Sequence, residues 1–174
     1  MSNDPLVLNV AELLRRPGTR RSVRTAADAR GLTLGGDAAV PDGTPVEVDV
    51  VVESLGDGVT VNGEVRTTWA GVCRRCLGPA SGPVVADVQE LYQVRPTSEE
   101  AFSFDGEQLD LRPMVRELVL MELPAAPLCR PDCAGLCPVC GVDRNTVQCE
   151  CETDDRDPRW AALDALREEF EPER

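Results

Sequence analysis

Between residues 45 and 94, apolar side chains recur at every second position. Val46, Val48, Val50 and Val52 alternate with Glu47, Asp49, Val51 and Glu53. A period of two puts each set on its own face of a strand, so one face is buried and one is wet. Gly56-Asp57-Gly58 marks a turn. Val59, Val61, Gly63 and Val65 open a second strand that runs on to Val72. Val84, Val85, Val88 and Leu91 carry a third, ending near Arg95-Pro96. Cys73-Arg74-Arg75-Cys76 falls where the second strand turns back into the next.

Outside this stretch the period changes. Residues 9–16 predict a short helix, with Asn9 as N-cap, Glu12 three residues on, and Val10, Leu13 and Leu14 as its apolar face. Residues 31–43 are a strand or loop passage, and 96–107 a polar, acidic loop. Leu111, Met114, Val115, Leu118, Val119 and Leu123 recur at helical spacing. They predict a helix capped by Asp110, with Pro113 in its first turn and Pro124 at its end, lying over the sheet. A last helix is predicted from Asp157-Pro158, with Trp160, Leu163, Leu166 and Phe170 on one face. The expected fold class is α+β: an antiparallel sheet or partial barrel with covering helices and a C-terminal zinc-knuckle module. Residues 1–127 form the sheet domain in this reading, and 128–174 the cysteine-rich module with the final helix.

Charge narrows the choice of partner. The 174 residues carry 18 basic and 31 acidic side chains, a formal net charge of −13. Every basic residue is Arg, so an Arg-rich segment is not by itself a signature of RNA recognition. One segment is locally basic: Arg15, Arg16, Arg20, Arg21, Arg24 and Arg30 stand against Asp28 alone. It is either a solvated face or a phosphate-binding patch. The tail from Glu150 to Arg174 is acidic, a solvated face or a lure for a basic partner. The absence of His excludes Ser-His-Asp and Cys-His catalysis and any His-containing metal site. The N-terminus lacks the basic and apolar regions of a secretory signal, and no apolar run approaches a membrane span. A cytoplasmic protein with no membrane contact and no small-molecule substrate is expected.

The eight cysteines come in pairs: Cys73/Cys76, Cys129/Cys133, Cys137/Cys140 and Cys149/Cys151. Six of them fall within residues 129–151. In a reducing compartment such pairs serve metal or redox chemistry rather than disulfides. Cys137-Pro-Val-Cys140-Gly141 is a knuckle turn, and four thiolates saturate one zinc. One zinc within 129–151 is expected, and eight thiolates suffice for two. The preferred split gives one ion to Cys137, Cys140, Cys149 and Cys151, whose loop is short to close. The other ion goes to Cys73, Cys76, Cys129 and Cys133, stapling the sheet's turn to the segment after the covering helix. Spacing alone leaves the assignment of the two middle pairs open. Arg74, Arg75, Arg130 and Arg144 are expected to hydrogen-bond the sulfurs. So many thiolates close every coordination position, which disfavours a catalytic ion. The redox alternative, Cys73/Cys76 as a dithiol, needs a helix N-terminus that the pattern does not offer there.

Four elements together resemble the YceD family, linked to accumulation of 23S ribosomal RNA and large-subunit assembly. They are Cys73-Arg-Arg-Cys76-Leu-Gly-Pro79, the 110–123 helix ending in Leu-Pro, Asp132-Cys-Ala-Gly-Leu-Cys-Pro-Val-Cys-Gly141, and Asp157-Pro-Arg-Trp-Ala-Ala-Leu163. The resemblance spans about residues 70–165. Where the family has an Asn-Leu-Asn-like segment after Cys-Gly, this chain reads Val142-Asp-Arg-Asn-Thr146. The resemblance implies a ribosome-linked role and supplies no catalytic residues. A non-enzymatic factor that binds a basic ribosomal protein or a pre-large-subunit particle is therefore expected. Direct rRNA binding through Arg15, Arg16, Arg20, Arg21 and Arg24, and a thiol redox role for Cys73/Cys76, are the alternatives. Trp160 is a further candidate contact.

Overall fold

A computed structural model describes residues 4–98, 101–152, 159 and 163. The strands are β1 (Val7–Asn9), β2 (Arg20–Asp28), β3 (Leu32–Thr33), β4 (Ala38–Val40), β5 (Pro45–Ser54), β6 (Gly58–Val72), β7 (Pro79–Gln93), β8 (Phe102–Ser103) and β9 (Gln108–Asp110). Two helices accompany them, α1 (Ala11–Leu14) and α2 (Arg112–Glu122). No helix among the described residues is long and apolar enough to cross a membrane.

The valine alternation becomes β5. Its even-numbered side chains from Val46 to Val52 are at most 2% exposed, while Glu47, Asp49 and Glu53 face solvent or its margin. β5 pairs antiparallel with β2 on one side and with β6 on the other. β6 and β7 form a long hairpin, paired from Gly58↔Gln93 to Val72↔Pro79. The far end of β6 also pairs with β4. The ladder is antiparallel except where β8 runs parallel to the end of β7. The sheet curls into half a barrel. Gly63 permits a close approach within the curl. It has φ +154°, and a Cβ there would lie 2.2 Å from the Asp49 carbonyl oxygen. Only glycine fits so close an approach of paired strands. α2 lays Met114, Val115 and Val119 over the inner face, touching β7, β6 and β3.

Several boundaries differ from the sequence reading. The helix expected over 9–16 is one turn, because Asn9 is claimed by β1, which pairs with β9. Its side chain still accepts the Ala11 N–H at 3.1 Å, from the strand end rather than from an N-cap. The third strand begins at Pro79, five residues before its first large apolar side chain, because the hairpin ladder continues through small residues. The 96–107 segment is not all loop: β8 lies in it, where Phe102 stacks on Tyr92 with ring centroids 5.1 Å apart. α2 starts at Arg112, and Asp110 belongs to β9. Asp110 Oδ1 nevertheless accepts the Arg112 N–H at 2.9 Å. Leu123 is extended ahead of Pro124 and ends the helix, as a residue before proline is biased to do. The predicted final helix, with Trp160, Leu166 and Phe170, lies outside the described residues. Leu163 is half exposed.

Candidate metal centre

The β6–β7 turn carries the first cysteine pair. In Cys73–Gly78 the chain folds back tightly. The Leu77 N–H donates to the Cys73 carbonyl at 2.9 Å, and the Cys73 N–H to the Gly78 carbonyl at 2.8 Å. Leu77 sits at φ +60°, the left-handed region. The Cys137–Val142 turn is built the same way. The Gly141 N–H donates to the Cys137 carbonyl at 2.9 Å, the Cys137 N–H to the Val142 carbonyl at 2.8 Å, and Gly141 has φ +74°. Two segments more than sixty residues apart in the chain thus fold into one knuckle geometry.

The knuckle fold aims backbone donors at sulfur. The Cys76 N–H, ahead of opposing burial, draws the Cys73 thiol down to about 6. The Cys140 and Val139 N–H groups do the same for Cys137, also to about 6. The outlying thiols behave oppositely. Cys129 is pushed up to about 12 by the Cys133 side chain and by burial. Cys151 is pushed up to about 12 by the Cys140 side chain and by burial. In each set a thiol that ionises readily sits beside one, Cys129 or Cys151, that resists ionising. A dication reverses that resistance by displacing the protons.

The sulfurs gather into two groups of four, Cys73/Cys76/Cys129/Cys133 and Cys137/Cys140/Cys149/Cys151. Within each group they lie within 4.8 Å of one another. In the first, Cys73 Sγ is 3.8 Å from Cys133 Sγ, and Cys76 Sγ is 3.7 Å from Cys129 Sγ. Those separations are far longer than the roughly 2.05 Å of a disulfide. They match the edge of a tetrahedron around an ion with metal–sulfur bonds of about 2.3 Å, which is about 3.8 Å. Both groups can therefore hold a metal ion, and the donor set, sulfur only and four-fold, suits a closed structural site.

The two groups sit differently in the molecule. Cys73 and Cys133 are buried members of the main core cluster. Backbone bonds fasten the segment after α2 to the β6–β7 turn: the Arg74 N–H to the Pro127 carbonyl at 2.9 Å, and the Leu136 N–H to the Arg75 carbonyl at 3.0 Å. The second group lies beyond this junction. Cys137 is buried outside the core cluster, Cys140 is exposed, and Cys149 and Cys151 are partly covered.

The expected arginine–sulfur bonds give way to bonds to oxygen. Arg74 pairs with Asp37 at 2.7 Å, Arg75 donates to the Cys133 carbonyl at 3.0 Å, and Arg130 pairs with Asp132 at 3.3 Å. A guanidinium finds stronger acceptors in carboxylates and carbonyls than in sulfur. Among the contacts of the described residues, the side chain other than cysteine that reaches sulfur is Asn145, whose Nδ2 donates to Cys133 Sγ at 3.4 Å. Burial raises the Cys133 thiol, but the Asn145 amide and the Gly135 N–H outweigh it and leave the group below its ordinary value. The legible signal for Asn145 was Asp143-x-Asn145, a turn-forming pair between two cysteine pairs.

Arg15, Arg16, Arg20, Arg21 and Arg24 lie on and before β2, and Arg30 just beyond it. Arg20 pairs with Glu53 at 3.0 Å and Arg24 with Asp49 at 2.8 Å, across the β2–β5 ladder. Arg21 donates to the Asn9 carbonyl at 2.9 Å. Arg15 and Arg16 are exposed after α1. Trp160 lies outside the described residues.

The family model described as "Large ribosomal RNA subunit accumulation protein YceD" matches residues 61–167. An uncharacterized protein of Mycobacterium tuberculosis is 36% identical over 169 residues, covering 91% of this chain and 80% of its own. A second, from Mycobacterium leprae, is 34% identical over 171 residues, covering 91% and 76%. The chain is also similar to "Large ribosomal RNA subunit accumulation protein YCED homolog 1, chloroplastic" of Arabidopsis thaliana. That match is 26% identical over 179 residues and covers 83% of this chain and 56% of the relative. No solved structure matches.

Proposed function

This chain belongs to the YceD family, and on that premise we propose that it is a non-enzymatic factor of the cytoplasm. It supports 23S rRNA accumulation and large-subunit assembly by holding a basic ribosomal protein or a precursor particle. Zinc fills both four-cysteine groups as a structural ion. The family match over residues 61–167 carries this reading. That stretch takes in both knuckles, α2 and almost the whole β6–β7 hairpin.

Charge supports a basic protein as the partner. The chain carries −13, and each zinc with four thiolates adds a further local charge of about −2. Arg20 and Arg24 are engaged by Glu53 and Asp49. The outward positions of β5, β6 and β7 include Glu47, Asp49, Glu64 and Asp87, against Arg66 alone. Such a surface speeds encounter with cations and repels polyanions. The zinc ions supply shape. They hold the segment after α2 in a fixed form against the sheet, with no ligand position left for chemistry.

The test is affinity capture from lysate at low and high salt, with the captured proteins identified by mass spectrometry. A basic protein of the large subunit should be recovered at low salt and released at high salt. Recovery of RNA alone, or of nothing, overturns the reading. The exposure of Arg15 and Arg16 supports a second reading, direct rRNA contact. Replacing Arg15, Arg16, Arg20, Arg21 and Arg24 with Ala should then abolish crosslinking to rRNA, and an unchanged crosslink pattern removes it.

A further inference from the structure

Asn145 lies in the loop between Cys140 and Cys149, both members of the second cysteine group. Its side chain faces the first group. Nδ2 donates to Cys133 Sγ at 3.4 Å and to Asp143 Oδ1 at 2.6 Å. Oδ1 accepts from the Ala134 N–H at 2.8 Å and from Arg130 Nη2 at 2.6 Å. The residue thus belongs to one group by sequence and serves the other by contact. Its surroundings repeat the link through the backbone. The Arg144 N–H donates to the Gly135 carbonyl at 2.9 Å, and Leu136 bridges Asp143.

We propose that Asn145 couples the two metal sites, so that an ion in the Cys137/Cys140/Cys149/Cys151 group prepares the Cys73/Cys76/Cys129/Cys133 group to bind. The inference rests on the reading of both groups as metal sites. An ion in the second group ties Cys140 to Cys149 and closes the loop that carries Asn145, removing much of its conformational freedom. The amide is then held where it donates to the Cys133 thiolate, the charged form that a metal requires. Without that ion the loop rests on its hydrogen bonds to Gly135, Cys137, Ala134 and Arg130, and the amide is held less firmly against the first site. Coupling of this kind is reciprocal, so an ion in the first group also favours the second. Partners of metal ligands typically change affinity by about 10–100-fold when removed. Asn145 acts here as a positioning residue.

Cobalt(II) is the probe, because its thiolate charge-transfer band reports coordination directly, with a competing chelator setting the affinity scale. The reduced wild-type chain should take up two ions. Asn145→Ala should weaken the first site by about 10–100-fold and leave four-thiolate spectra at both. Asn145→Asp keeps the acceptor for Ala134 and Arg130, loses the donor to sulfur and to Asp143, and sets a negative charge beside both. It should weaken the first site at least as much as Asn145→Ala. Cys137→Ser/Cys140→Ser, which disables the second site, should weaken the first by a similar factor. Adding Asn145→Ala in that background should cost nothing more. Additive losses in this cycle, or an unchanged first site in both Asn145 variants, overturn the coupling while leaving two metal sites standing. A wild-type chain that takes up no cobalt overturns the metal reading and the coupling with it.

Discussion

Leu77 and Gly141 occupy the same place in two knuckles of the same build, one residue past the second cysteine, and both are left-handed. Glycine adopts that conformation without penalty, whereas an L side chain there costs about 1–2 kcal/mol. Leu77 is the one non-glycine residue with positive φ among those described. It is tolerated because its turn is the mouth of a fully paired hairpin. Gly141 has no such support. Gly141→Ala should therefore destabilise the protein by about 1 kcal/mol, a fall in Tm of about 2–4 °C for a chain this size. Thermal unfolding under reducing conditions measures it, and an unchanged or raised Tm contradicts the account. Residue-scale reading of the sequence found the cysteines and the Cys-Pro-Val-Cys-Gly turn. It missed Asn145, since an amide's value as a sulfur donor depends on which thiol it faces.

At the scale of elements, the junction of β9 with α2 fixes where the covering helix begins. Asp110 accepts from the Arg112 backbone and guanidinium, and Arg112 also reaches Asp4 at 3.2 Å. The Arg112 side chain, ahead of burial and the backbone bond, holds the Asp110 carboxyl below its usual range. A depressed carboxylate favours the folded state once pH exceeds its unfolded value of about 4. That contribution is lost as pH falls through the lower folded value. Asp110→Asn should thus be less stable than wild type at neutral pH. The difference should shrink in acid and vanish where Asp110 is protonated in both the folded and the unfolded state. Urea unfolding of both proteins across this range is the check, and a difference independent of pH contradicts it. The valine alternation of β5 and the stripe of α2 were legible because each buries one continuous face. β1, β8 and β9 were not, because strands of two or three residues carry too little pattern to show a period.

At the scale of the molecule, the apolar core belongs to the half-barrel and α2, and the segment from 124 to 151 adds little to it. Cys133 is that segment's one member of the core cluster, with Leu128 packed against it. The backbone bonds to Arg74 and Arg75 fasten it, and under the proposed metal reading the two sulfur groups complete its shape. Metal binding in such a segment is folding free energy. Stripping metal with a chelator under reducing conditions should remove amide-exchange protection from residues 127–147 and leave that of β5, β6 and β7 in place. Equal protection with and without chelator would show that the segment holds itself.

Composition and spacing alone determined that a valine-rich antiparallel sheet exists, that a helix follows it, that sulfur is the only soft donor, and that the cysteines come in pairs. These are local properties, set by side-chain period and by residues a few positions apart. Tertiary structure decided which pairs meet, because Cys73 and Cys133 are joined by the sheet's hairpin and the path of the chain past α2. It also set the arginines of β2 against the carboxylates of β5, and brought the Asn145 amide against the Cys133 sulfur. Each depends on contacts distant in sequence, which no local period encodes.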